Sequence, residues 1–325
     1  MLPNKTDFTK ARKIIASFLR QHRTSEVVLE NNRVVVLEAD LPTQVAFTAL
    51  LENDIRGAPL WDNEQQRFVG MITSSDLVDI LYHCMEQRME HSSQFKSIPL
   101  TSWKDILYCP RWHRDVSWIY TEADSSLYDS CHILKRYAIH KLPVLSVEDN
   151  LVVHILTHSR ILSFVHQQLG NTDRDLEALF SVSVQDLCIG TWDTIYTTGL
   201  GQSLENILSL FHERNVSAVP VVDQNGIGNQ WNWNSTIESI LSLFRPNPMY
   251  VYTCFKTDSL RQVFDKFCKT LVHRLFVVDE NRKVIGVISL SDLLGYFWNK
   301  KEIFKSYICI RRVECRLKFV MCGMR

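Results

Sequence analysis

No apolar run in the chain approaches the roughly 18 residues of a membrane span, and the opening stretch MLPNKTDFTKARK has no signal-peptide core. Neither a membrane span nor a cleaved leader is expected. There is no excess charge of either sign: 36 Lys+Arg face 36 Asp+Glu, for a formal net charge of +0. That balance argues against a general nucleic-acid binder. The 9 cysteines include no C-x-x-C pair, so neither a zinc site nor a disulfide framework is expected, and reduced thiols place the chain in the cytoplasm or nucleus. Catalytic signatures are missing too: no G-x-x-x-x-G-K-[ST] loop, no H-R-D with D-F-G, and no Ser or Cys nucleophile motif. What remains is a chain of 325 residues, 46% hydrophobic, long enough for one to three globular domains.

The most informative stretch is LVHRLFVVDENRKVIGVISLSDLL, residues 271–294. Two apolar runs separated by the polar break 280–283 predict a strand pair, and Ser289, Ser291 and Asp292 stand where the second strand gives way to a helix. Ser suits a helix cap, and Asp suits the positive end of the helix dipole. His273 and Arg274 bring donors for an anion. Asp292 brings paired acceptor oxygens that fit a vicinal diol. Phosphate at one end and ribose at the other describe a nucleotide.

The stretch recurs. IRGAPLW, IHKLPVL and VSAVPVVD align with it, placing Arg56, His140, Ser217 and His273 three positions before Pro59, Pro143, Pro220 and Phe276. A second marker, Asp76, Arg160 or Asp292, follows in three of the copies after GMITSS, HILTHS and GVISLS. Four units of two strands and two helices are therefore expected. The anchors are 84, 77 and 56 residues apart, so the third unit is short. After VVDQNG it reads IGNQWNWNSTIESIL, with no apolar strand run and no carboxylate at the expected place. Its last strand and second helix are read as lost.

Taken in order, residues 7–21 carry a helical face of Phe8, Ala11, Ile14, Ile15, Phe18 and Leu19, expected to cap the first repeat. Residues 33–38 read as a strand, and Thr43 as the cap of a helix ending near Asn53. RWHRDVSW reads as an insertion or remodelled strand entry, without the wider basic surface that nucleic acid needs. The polar break 171–175 is the best boundary between paired units. The expected segments are 1–32 (extension and helix), 33–95, 105–170, 176–245 (incomplete) and 248–298 (repeats), and 299–325, a basic, Cys-rich tail with no assigned function.

These motifs resemble cystathionine-β-synthase (CBS) repeats, which pair into Bateman modules, and four in one chain resemble the γ regulatory subunits of AMP-activated protein kinases. The resemblance runs from about residue 7 to Phe297, apart from the gap in the third unit. It implies an α/β (α+β) fold of four CBS motifs in two modules forming a disk, with AMP, ADP and ATP as ligands and no catalytic cofactor. It also implies catalytic α and scaffolding β subunits as partners, with 33–38 a candidate edge for β. Two alternatives are a structural or truncated γ-like subunit with few working sites, and a free-standing CBS sensor of another adenosyl metabolite.

Carried over residue by residue, the resemblance gives a first site of Met71, Thr73, Ser75, Asp76, His140 and Lys141. Lys141 departs from the family's usual Arg, keeping the charge but losing the planar fork. The last site would use Thr191, Ser217, Ala218, His273, Arg274, Val287, Ser289, Ser291 and Asp292. Arg160 replaces the carboxylate in the second unit and cannot accept from a diol. A third site would draw on Arg56, Ser159 and His273. It is expected to be weak, since its carboxylate is missing and Ser159 stands where the family has Lys.

Overall fold

The computed structural model describes residues 8–27, 33–87, 97–103, 118–169, 173–199, 202–214, 216, 218–222 and 252–297. Three repeats of one unit account for most of it. In the first, β1 (Leu37–Glu38) leads through α2 (Thr43–Glu52) to β2 (Gly57–Asp62) and β3 (Arg67–Thr73), followed by α3 (Ser74–Glu86). In the second, β4 (Thr121–Glu122), α4 (Leu127–Arg136), β5 (Lys141–Ser146), β6 (Leu151–Thr157) and α5 (His158–Gln168) repeat the order. After α6 (Arg174–Phe180), the third unit shows β7 (Thr198–Gly199), α7 (Leu204–Arg214) and β8 (Val221–Val222). The fourth contains β9 (Thr253–Phe255), α8 (Leu260–Thr270), β10 (Arg274–Val278), β11 (Val284–Ser289) and α9 (Leu290–Phe297). The shortened stretch 223–251, the segment 104–117 and the tail 299–325 fall outside the described residues, as does the gap inferred there.

Register explains the repeat. In each complete unit the middle strand pairs parallel with a short first strand and antiparallel with the third. Gly57 lies opposite Thr73, Lys141 opposite Thr157, and Arg274 opposite Ser289. Each hairpin slips by one residue at the same place, between Leu60 and Trp61, Val144 and Leu145, and Val277 and Val278. The anchor prolines also have a reason. The parallel ladder starts one residue beyond them, at Leu60, Val144 and Val221, so their missing N–H leaves no ladder bond unmade. In the fourth unit the first strand reaches one residue further, to Phe276, whose N–H donates to the Tyr252 carbonyl at 3.1 Å. Phe replaces Pro where a donor is used.

Local expectations were corrected in three places. The strand expected over 33–38 is confined to Leu37–Glu38, because the neighbouring strand cannot extend the ladder past Pro59. Val34 and Val35 pack against hydrophobic clusters instead. Thr43 is the first residue of α2 and not its cap: its Oγ1 donates to the Ile98 carbonyl at 2.6 Å and accepts from Trp103 Nε1 at 2.6 Å. The helix α1 (Thr9–Gln21) buries Ala11, Ile15 and Leu19 as its periodicity predicts, but against the second and fourth units rather than the first. Arg23 and Thr24 fasten the end of that helix to Asp124 and Ser125, across the turn ahead of α4.

Among the described residues the hydrophobic core has two main parts. One cluster joins α1, the second unit, α6 and the fourth unit, with α5 packed on α8 and α9. The first unit has its own cluster, from Leu37 through Ile72 and Ile80 to Leu100 and Trp103. A smaller aromatic group, Trp61, Phe68 and Trp118 with Leu145 and Val152, links the sheets of units one and two. The first unit also reaches the third through α3 and α7, where Tyr82 stacks on His212 with ring centroids 4.0 Å apart.

Candidate nucleotide site

The register brings each hairpin's entry against the start of its second helix. In the first unit the Arg56 carbonyl accepts from Ser74 N–H at 3.1 Å, and in the fourth the His273 carbonyl accepts from Leu290 N–H at 3.2 Å. The residue ahead of the middle strand is therefore tied to the first turn of the helix that carries the carboxylate. Asp76 is buried, and its Oδ2 accepts from Thr73 N–H at 2.6 Å and Thr73 Oγ1 at 2.7 Å. Asp292 repeats this with Ser289 N–H at 2.8 Å and Ser289 Oγ at 2.7 Å, and Ser289 Oγ in turn accepts from Asp292 N–H at 3.2 Å. One carboxylate oxygen holds the helix start. Asp292 Oδ1 accepts no hydrogen bond from the described residues.

The second unit builds the same corner with opposite chemistry. Arg160 N–H donates to the capping Thr157 Oγ1 at 3.3 Å, and the guanidinium Nη1 lies 3.2 Å from His154 Nδ1. Burial and that guanidinium hold the His154 imidazole down at about 4. Ser159 Oγ sits 3.0 Å from Thr157 Oγ1, engaged with its own helix cap.

Between the corners lies a group of bases. Burial first, then the nearby Arg56, lowers Lys141 to about 8, while Asp76 pulls the other way. Burial holds His273 at about 4, reinforced by Arg56, Arg274, Lys141 and His140. His158 is held at about 3 by burial and by His140 and His273, and its ring centroid lies 5.4 Å from that of His140. Burial also lowers Arg274, opposed by Asp292. Arg56, Lys141, His140, His158, His273 and Arg274 thus come from three units into one centre, with Asp76 and Asp292 on its flanks.

Of the residues proposed from sequence, Met71, Thr73, Ser75 and Asp76 occupy the end of β3 and start of α3, and Lys141 faces Asp76 from the second unit. Thr191 is bridged to Val287 by reciprocal backbone bonds of 2.8 and 3.0 Å. Val287, Ser289, Ser291 and Asp292 continue that edge. Ala218 is half-buried ahead of β8, and Ser217 lies outside the described residues. Sequence reasoning missed His158. The aligned helix starts TSSD, THSR and SLSD offered a signal: His158 is the only ionisable side chain at its position, where the others have Ser74 and Leu290.

A basic centre flanked by helix-capping carboxylates can hold an anionic ligand that carries a diol. It makes no group of three or more His, Cys, Asp or Glu able to hold a metal ion among the described residues.

The repeated corner, its register and its placement define a class of proteins built from tandem CBS motifs. The CBS domain model matches residues 13–83, 114–167 and 242–299, and the chain belongs to that family. It is 35% identical over 316 residues to the 5′-AMP-activated protein kinase subunit gamma of Dictyostelium discoideum, covering 89% of this chain and 54% of that protein. With the human gamma-3 subunit it shares 29% identity over 298 residues, covering 87% and 60%. The chain spans little more than half the length of these relatives. A crystal structure from Methanocaldococcus jannaschii, proposed as an archaeal homologue of the kinase γ subunit, shares the fold with a TM-score of 0.62 at 17% identity, over 85% of this chain and 100% of that one.

Proposed function

We propose that the chain is the non-catalytic, nucleotide-sensing γ subunit of an AMP-activated protein kinase, assembling with catalytic α and scaffolding β subunits. The observation that carries this reading is the meeting of Arg56, Lys141, His273 and Arg274 between Asp76 and Asp292. AMP, ADP and ATP share a base and ribose and differ in phosphate length, so a centre of fixed bases can rank them by contact geometry. The two carboxylates take the ribose diols, and the bases take the phosphates. Arg160 disfavours a ribose in the second unit, and Ser159 supplies no charge to the third site. The nucleotides regulate the kinase to the extent that they differ in affinity for its active and inactive arrangements. AMP or ADP favours the active form, and ATP opposes it.

The test is a calorimetric titration of AMP into the nucleotide-stripped chain, co-expressed with the C-terminal regions of α and β. A stoichiometry near two is expected. Asp76→Asn and Asp292→Asn keep an oxygen for the helix cap while removing the charge. Each should abolish one site or weaken it by about 10- to 100-fold, the scale of losing a charge-assisted hydrogen bond. An assembled complex that binds no AMP would leave a structural subunit. Binding without α or β association would instead identify a free-standing sensor.

A further inference from the structure

The central bases are crowded beyond what the local carboxylates offset. Lys141 opens β5 opposite Thr157, and its stem lies along Gly57: a Cβ built there would stand 3.3 Å from Lys141 Cδ. The lysine stem thus runs against the residue that follows Arg56. Arg56 faces it from ahead of β2, Asp76 from α3 and His273 from ahead of β10, with His140 preceding it in its own chain segment. Asp76 already spends Oδ2 on the helix cap.

Excess positive charge in a partly desolvated space makes its titratable members give up protons, the imidazoles first and Lys141 next as pH rises. Arg does not do this in proteins, whereas Lys does. A bound phosphate reverses the balance, because two negative charges within a few ångströms favour the charged form of each neighbouring base. Resting on the nucleotide-sensing reading for the identity of its anion, we propose that phosphate binding at this centre takes up a proton from solvent and that Lys141 receives it in the mildly alkaline range. Burial and Arg56 place the ammonium at about 8 before the anion arrives. The more strongly depressed imidazoles His158 and His273 form a reserve at lower pH. Affinity then falls as pH rises through the range where Lys141 is neutral in the unliganded protein.

The test uses the full chain and AMP at pH 8.5, where the second phosphate proton, with a pKa of about 6, is already gone. Titrations in two buffers of different ionisation enthalpy give the protons taken up per bound AMP. Roughly half to one proton is expected in the native chain, with affinity falling about five- to tenfold between pH 7.5 and 9 if the anion restores Lys141 to its ordinary range. Lys141→Arg, whose charge does not titrate, should bind with negligible uptake and a flat profile. No uptake in the native chain, or the same uptake in the Lys141→Arg variant, overturns the proposal. If AMP gives no binding, the nucleotide reading fails separately, and inorganic phosphate in the same buffer pair decides: uptake that Lys141→Arg removes supports the linkage, and no uptake or no binding overturns it.

Discussion

At the scale of single residues, three imidazoles tie stability to pH. His154, His158 and His273 are held at about 4, 3 and 4 by burial and nearby positive charge. Their unfolded counterparts titrate near 6.5. Between those values the unfolded chain binds more protons, so stability is complete above about pH 6.5 and drains as pH falls toward 4. The melting midpoint should drop between pH 7 and 5, and His158→Gln should flatten that slope. An unchanged slope in the variant would remove His158 from the account. Asp76 and Asp292 were legible in the sequence because a Ser or Thr three residues before an Asp marks a helix start. That one oxygen of each is consumed by the cap was not legible, since it depends on the rotamer. His158 stayed hidden for another reason: its importance comes from His140 and His273, which are distant in sequence and reach it only through the fold.

Elements are placed by backbone constraints that a residue pattern shows only in part. The hairpins and following helices were legible from apolar runs and polar breaks, because each strand buries a continuous face. The first strand of each unit was hard to read, since two or three residues of parallel pairing leave little period. Helix α6 was hidden in a supposed boundary: the polar break supplies its cap, Asp173, whose Oδ1 accepts from Asp175 and Leu176 N–H, while Leu176 and Leu179 enter the large core. Gly190, which opens the third unit, shows the constraint at its sharpest. Its φ is +102°, and a Cβ there would sit 2.7 Å from the Val287 carbonyl oxygen and 2.8 Å from Ile288 Cγ1. Gly190→Ala meets strain and a backbone clash together. It should cost about 1–3 kcal/mol, measurable by urea unfolding, and weaken AMP at the Asp292 site by displacing the Thr191–Val287 bridge. Unchanged binding there would separate that bridge from the ligand edge.

Across the whole molecule, the division of the core decides which sites fail together. The second and fourth units share one hydrophobic cluster, while the first is held by its own, closed by Leu100 and Trp103. The segments read from the sequence, 33–95 and 105–170, leave these two residues between repeats, because the composition there hides two fully buried side chains among polar neighbours. Trp103 also donates to Thr43 at 2.6 Å, so its removal leaves both a cavity and a lost hydrogen bond. Trp103→Ala should cost about 3–5 kcal/mol, which approaches the whole stability of an ordinary domain. That cost falls on the first unit, with its Asp76 corner, and the cluster around Phe267 and Ile288 keeps its packing. The expected outcome is an AMP stoichiometry that falls from two to one, with hydrogen-exchange protection lost over 37–84 and kept over 254–297. In Phe267→Ala the damage should move to the shared cluster, loosening the fourth unit and the helices packed on it while the first unit's own core stays closed. Simultaneous loss of protection everywhere in the Trp103 variant would mean that the Tyr82–His212 stack and the aromatic link at Phe68 and Trp118 couple the two cores into one cooperative unit.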